Sequence, residues 1–261
     1  MEDDGISLGI VLVDNASPNG TGQVLRDKYI NDDDIEIIQN ESNEGFSRAN
    51  NKGCEAARRL WNPDLYVVAN NDIVFAQRSF AQKLHTEYMQ EPFYILGPDI
   101  LNKRTDCHQS PMGKEPPSLE RAMKTVKLND ICLRFYGLTY PLMRLWFRRL
   151  DSARVNAEEY DIKQENVLVQ GACVVFAREY IEERGCIYSP ETFFFSEEAI
   201  FTNWCRQNNK RIVYEPALQV IHNESASTRS EKDMKRRIRF QMSNILDSTR
   251  IYIQELERCQ K

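Results

Sequence analysis

The stretch "LYVVANNDIVF", residues 65–75, climbs through Leu65, Tyr66, Val67 and Val68, halts at Asn70, Asn71 and Asp72, and turns apolar again at Ile73. A short apolar run bounded by turn formers reads as a buried strand. Asn and Asp close turns by bonding their own backbone, and that alone accounts for three polar residues here. Where such strands alternate with helices, the position gains a second meaning. Open parallel α/β sheets bind ligands outside the carboxyl ends of their strands.

The flanking sequence supplies that alternation. "ISLGIVLV" (6–13) is a strand followed by the turn cluster "DNASPNGTG", and "QVLRDKYI" (23–30) reads as a helix. "IEIIQN" (35–40) is a second strand, "FSRANNKGCEAARRLW" (46–61) a second helix and "FYILGPDIL" (93–101) a fourth strand. Alternation of this kind predicts an α/β layer with a mostly parallel central sheet flanked by helices. Two of its strands end in an acid, Asp14 and Asp72, and both should face one crevice. Further on, "NVLVQGACVVFARE" (166–179) reads as strands, "EEAIFTNWCRQNN" (197–209) as a helix and "RIVYEPALQVIH" (211–222) as two short strands.

Bulk properties narrow the class. The chain has 261 residues, 41% hydrophobic and 28% charged, an ordinary globular balance with enough length for a large core. A net charge of -5 argues against a general nucleic-acid binder. The seven cysteines form no CxxC pair, which predicts reduced thiols rather than a disulfide framework or a zinc site. The opening "MEDDG" does not read as a secretory leader, and no apolar run approaches the roughly 20 residues of a membrane span. A cytoplasmic location follows as an expectation.

In order along the chain stand "VDNASPNGTG" (13–22), "NEGFSRANNKG" (43–53), "NND" (70–72), "VQGACVVFARE" (169–179), "ETFFFSEEAIFTNWCRQNNKRIVYEP" (191–216) and "VIHNESAST" (220–228). Together they resemble a family-2 glycosyltransferase of the GT-A nucleotide-diphospho-sugar transferase fold, of the kind that builds bacterial capsules, O-antigens and related glycans, rhamnosyltransferases included. The resemblance implies an inverting, metal-dependent transfer of a hexosyl or rhamnosyl group from a nucleotide-diphosphate sugar to a hydroxyl of a glycan or lipid-linked acceptor.

It also implies roles. "NND" stands where the family has its DxD motif, so Asp72 would bind Mn²⁺ or Mg²⁺, a hard cation that takes few protein carboxylates and fills its shell with phosphate oxygens. Asn70 and Asn71 would line the donor, with Asn70 in place of the motif's first acid. Asp14, Asn15 and Arg48 would contact the nucleotide, against the plainer readings of an Asx turn for Asp14 and a solvated charge for Arg48. Glu197 and Glu198 occupy the place of the family's acid pair. The second would be the base that deprotonates the acceptor; the plainer reading is Ser196 as a cap with the acids in the first turn, and the two are compatible, since a helix N-terminus would keep the glutamate ionised, which suits a base. Gly171 would permit close approach near the acceptor, and His222 would join the metal site. The "FFF" run (193–195) and Trp204 read as core.

In the family a strand and helix precede the segment matching "IVLVDNAS", so about 25–30 residues are expected to be missing. Residues 1–229 are read as the GT-A domain, with 114–160 as a basic, aromatic helical insert, and 230–261 as a helical tail. Between 114 and 154 nine Lys or Arg face four Asp or Glu, interleaved with Phe135, Tyr136, Tyr140, Trp146 and Phe147. That composition suits the surface of an anionic membrane, at its cytoplasmic face. The bland alternative is a helical hairpin covering the sheet. Two other readings are a nucleotidyltransferase, which lacks its Gly-rich activation loop, and a catalytically silent, membrane-associated partner in glycan assembly.

Overall fold

The computed structural model describes residues 2–3, 5–152, 156–223 and 231–258. The expected boundary between residues 229 and 230, and most of "NESAST", lie outside the described residues. The first half runs β1 (Glu2–Asp3), β2 (Ile6–Ser7), β3 (Ile10–Asp14), α1 (Thr21–Tyr29), β4 (Ile35–Gln39), α2 (Phe46–Leu60), β5 (Leu65–Ala69), β6 (Ile73–Val74), α3 (Phe80–Gln90), β7 (Ile95–Asn102) and β8 (Cys107–His108). The second half runs α4 (Leu119–Arg134), α5 (Tyr136–Ser152), β9 (Gln164–Glu165), β10 (Cys173–Ala177), α6 (Arg178–Arg184), α7 (Glu197–Gln207), β11 (Ile212–His222) and α8 (Glu231–Arg258).

The central sheet has the order β5-β10-β7-β11-β6, with β8 added on β7 and β9 on β11. It is mixed. β7 and β11 run parallel, while β10 lies antiparallel to both β5 and β7. Alternation along its strands feeds two cores. Ile95, Val174, Phe176, Ile212 and Tyr214 face Tyr180, Phe201 and Cys205 of α6 and α7. Leu96, Cys173, Val175 and Val213 face Phe80 and Leu84 of α3. The strand ladder places Asp72 and His222 side by side, since Ile73 pairs with His222.

Two local features depart from the sequence reading. "RIVYEPALQVIH" is one strand, β11, with a register shift between Glu215 and Gln219. Pro216 cannot donate to the ladder, and the bulge is satisfied instead by Glu215 Oε1, which accepts Ala217 N–H, and by Gln77, which bonds Ala217 O and Gln219 N. The second feature is the pair β3–β4. It is parallel, and among the described residues β3 pairs only with β4, while β5 pairs only with β10. The layer is therefore interrupted between β3 and β5. One helix spans the interruption: Gly53 of α2 lies against Val13 of β3, and its neighbour Cys54 packs in the core with Tyr66 of β5.

The basic insert is a helical hairpin, α4–α5, but it does not cover the sheet. Cys132, Tyr136 and Tyr140 pack with Ile238 and Met242 of α8, and the Tyr136 hydroxyl donates to Lys235 O at 2.7 Å. Insert and tail thus form one helical layer. It meets α7 through Ala122, Ala199, Ile200 and Tyr252. Among the described residues six cysteines are free thiols, and burial pushes Cys54, Cys173 and Cys205 up to about 12.

Gly97 of β7 tests the tightness of the core. A Cβ there would lie 2.5 Å from Cβ of the fully buried Val169, whereas one on Gly137 of α5 would meet nothing within 4 Å. Gly97→Ala is expected to cost about 1–3 kcal/mol in urea unfolding. Gly137→Ala is expected to stabilise by up to about 1 kcal/mol. Equal effects would contradict the packing described.

Candidate active site

"NND" forms a turn and a site at once. Asn70 O accepts Ile73 N–H at 3.1 Å, closing the turn, and Asn70 N–H donates to Ala172 O at 2.8 Å. The turn holds the Asp72 carboxylate half-exposed, with its Oδ1 3.3 Å from Nε2 of the buried His222. On the other side of the ring, His222 Nδ1 lies 2.8 Å from Gln109 Oε1. In the tautomer in which Nδ1 donates to that amide oxygen and Nε2 is unprotonated, the Nε2 lone pair points toward the acid. Two acceptors then face each other.

A divalent cation fits this donor set. Cis ligands at ordinary metal–oxygen and metal–nitrogen distances lie about 3 Å apart, close to the spacing observed. One carboxylate and one imidazole leave most of the shell to phosphate oxygens and water. Among the described residues no group of three or more His, Cys, Asp or Glu converges on one point.

The segment 169–172 joins this turn to the acids. Gln170 Oε1 accepts Ala172 N–H. One residue earlier, the Glu198 carboxylate lies against Gly171: a Cβ there would collide with Glu198 Oε1, and the Gly171 backbone N–H favours the charged carboxylate. Close approach at Gly171 is thus an approach of the carboxylate itself. Glu198 is half-buried at the start of α7. Glu197 is buried and turned elsewhere: its Oε1 accepts the Thr192 hydroxyl at 2.6 Å, and Thr192 Oγ1 lies 3.0 Å from Ser47 Oγ of α2.

The helix start differs from the expected cap. Ser196 makes no capping hydrogen bond, because it sits at φ 70 and Phe195 at φ 76. Two successive left-handed residues other than glycine cost on the order of 1–3 kcal/mol each. Nor does the helix N-terminus hold the pair at ordinary carboxylate values. Burial raises Glu197 to about 7, helped by the charge of Glu198, and burial raises Glu198 as well. Desolvation wins over the dipole because the dipole acts on a group still in contact with water far more cheaply than it offsets a lost hydration shell. Nor is "FFF" core. Phe193 and Phe194 are 38% and 44% exposed, and Phe193 stacks edge-on against Phe240 of α8. Trp204 packs on the core as read.

The remaining residues occupy a neighbouring group of loops. Asp14 is buried; its Oδ1 accepts Ser17 N–H, the turn the sequence suggests, and its other oxygen faces Gly22 of α1. Asn15 ties the loops, donating to Asn43 Oδ1 and Gly45 O and accepting from Asn40 and Glu44. An open cleft of about 400 Å³ lined by Ser17, Arg26, Gln39 and Asn40 lies beside them. Arg48 is paired with Glu191 at 2.7 Å. These loops meet the acid loop where Phe46 N–H donates to Phe193 O. Gln109 and Thr192 are absent from the sequence reading. Only Thr192, a hydroxyl five residues before an acid pair, offered a signal. Also unread was buried Asp99, whose carboxylate oxygens lie 2.8 and 2.9 Å from His108 Nδ1, with Tyr160 stacked on the imidazole.

Glu197 makes stability depend on pH. Its folded value is about 7 against an ordinary 4.5. Folding is therefore unpenalised below both values, loses stability as pH rises between them, and carries the full penalty above about 7. The penalty is on the order of 3 kcal/mol. Glu197→Gln is expected to remove that slope and to be more stable than the parent at pH 8, read by chemical unfolding across pH. A slope unchanged in the variant would contradict the assignment.

Comparison with known proteins places this geometry in a family. Residues 6–141 match the family model for glycosyl transferase family 2. The chain is 25% identical over 252 residues to the low-salt glycan biosynthesis hexosyltransferase Agl10 of Haloferax volcanii, covering 96% of this chain and 70% of that protein. Among solved structures it superposes on S. aureus TarS 1–349 with a TM-score of 0.51 and 13% identity, covering 92% of this chain and 61% of that one. It superposes on GalNAc-T7 bound to UDP, GalNAc and Mn²⁺ with a TM-score of 0.50 and 14% identity, covering 83% and 38%. The chain thus spans well under two thirds of the GalNAc-T7 chain and about three fifths of the TarS chain. The architecture is that of the GT-A fold, and the chain belongs to glycosyl transferase family 2.

Proposed function

We propose that this chain is an inverting glycosyltransferase that moves a hexosyl or rhamnosyl group from a nucleotide-diphosphate sugar to a hydroxyl of a glycan or lipid-linked acceptor, at the cytoplasmic face of a membrane, in cell-surface polysaccharide synthesis. The observation that carries the reading is the segment 169–172: Ala172 holds Asn70 of the "NND" turn, and Gly171 lies against the Glu198 carboxylate. A donor anchored at the turn and a base at the acid are thereby set on one rigid backbone.

Asp72 and His222 would hold Mn²⁺ or Mg²⁺, which would neutralise charge gathering on the departing diphosphate. The presence of UDP, GalNAc and Mn²⁺ together in GalNAc-T7, on the same fold, favours this donor class. Asn70, Asn71 and the loop of Asp14 and Asn15 would orient the donor. Glu198 takes the proton of the acceptor hydroxyl as its oxygen attacks the anomeric carbon and the bond to the diphosphate breaks. Burial raises its proton affinity, and a base with raised affinity is better matched to neutral pH. Glu197, bonded to Thr192, is a positioning residue. Arg48 would act on the nucleotide only after leaving Glu191.

The test is calorimetry with UDP, GDP and dTDP, each with and without Mn²⁺, followed by turnover of the matching nucleotide sugars. Metal-dependent binding of one nucleotide is expected, weakened at least about tenfold in Asp72→Ala. Glu198→Gln is expected to bind normally and to lose roughly 10²–10⁴-fold in turnover. Binding indifferent to metal and to Asp72 would overturn the donor site. Normal turnover in Glu198→Gln would overturn the base.

A further inference from the structure

The hairpin α4–α5 turns the wrong face outward. Its packing against α8 is complete through Cys132, Tyr136 and Tyr140, so water should meet polar residues. Instead Leu138, Leu142 and Leu145 recur four and three residues apart on the outer face of α5, 84%, 65% and 52% exposed. Trp146 stands beside them, and Ile131 and Phe135 continue the surface onto α4, each about half-exposed. Scattered apolar residues on a surface need no explanation, but six large exposed ones within one helical hairpin, three of them at helical spacing, mark a candidate interaction face.

Charge selects the occupant. The exposed Lys124 and Lys127 lie on the same outer arc of α4, and exposed Arg148 and Arg149 flank the α5 stripe. Segment 114–154 is net positive in a chain of net charge -5, and Lys124 is held on this arc by an ion pair with Glu120 at 2.6 Å. A protein partner for an apolar face does not require that net positive charge. An anionic lipid surface does, since leucines and an indole enter the acyl boundary while lysine and arginine meet the headgroups. No helix among the described residues is long and apolar enough to cross a membrane, so contact would be from the side.

We infer that the outer face of α4–α5 is a docking surface for an anionic lipid bilayer. The face is also coupled to the acid site. The same layer reaches it through α8, whose Ser248 hydroxyl donates to Phe194 O at 2.8 Å, two residues before Ser196. Docking would bring a membrane-borne acceptor hydroxyl to the side of the molecule that carries Glu198. The inference builds on the lipid-linked acceptor proposed above, but its test does not, because lipid binding requires neither nucleotide nor metal.

The experiment is flotation of the whole chain with phosphatidylglycerol vesicles and with phosphatidylcholine vesicles, at low and high salt. The chain is expected to float with the anionic vesicles only, and to be released by salt. Leu138→Gln with Leu142→Gln and Leu145→Gln is expected to abolish flotation, and Lys124→Gln with Lys127→Gln to weaken it on the order of tenfold. All five positions are exposed, so circular dichroism and thermal midpoints should match the parent. Asp72→Ala should float normally, which separates this result from failure of the donor site. A folded parent chain that stays unbound would overturn the inference, as would flotation unaffected by the leucine substitutions. So would a lipid-free dimer that the leucine substitutions convert to monomer without any vesicle binding.

Discussion

The close approach of the Glu198 carboxylate to the Gly171 backbone is the contact on which the candidate site depends. It requires a residue without a side chain, because any Cβ would occupy the space of the carboxylate oxygen. It also requires that the segment be fixed, which the Asn70–Ala172 bond and the fully buried strand β10 provide. A flexible glutamate at a helix start is thereby given one position relative to Asp72, even though the two acids lie 126 positions apart in sequence. Rigidity of this kind is what an orienting site needs, since small displacements of a base cost large factors in rate.

The two adjacent glutamates are set apart by their surroundings. Glu197 is closed in by Thr192 and Ser47 and keeps its proton up to neutral pH. Its neutralisation spares Glu198 a second negative charge one residue away. The left-handed pair Phe195–Ser196 aims α7 so that both side chains reach these different environments. Strain held at such a point is typical of sites where position matters more than local stability.

Much of this was legible in the sequence, for physical reasons. Strand ends in an α/β layer collect polar residues at one crevice, so Asp72 and His222 could be paired from pattern and resemblance. Apolar alternation gave the strands β5, β7 and β10. What failed was whatever depends on a single backbone angle or a distant partner. Ser196 looks like a helix cap in sequence, but at φ 70 its hydroxyl is not aimed at the helix amides. "FFF" looks like core because three aromatics in a row usually are, yet two of them project beside α8. The basic insert was recognised by composition, but its partner, α8, lies about a hundred residues downstream, and no local signal says which face a hairpin buries. Likewise the interruption between β3 and β5 is a matter of strand pairing, which propensity does not encode.

The contact at Gly171 can be tested alone. Gly171→Ala displaces only the far end of the Glu198 side chain, so the fold and the nucleotide site should survive. Turnover and nucleotide affinity measured on the same Gly171→Ala preparation would decide the matter. The expected result is unchanged thermal stability and nucleotide affinity with turnover reduced at least about a hundredfold. Turnover equal to that of the parent chain would mean that Glu198 does not act from this position, and the account of the site would be wrong.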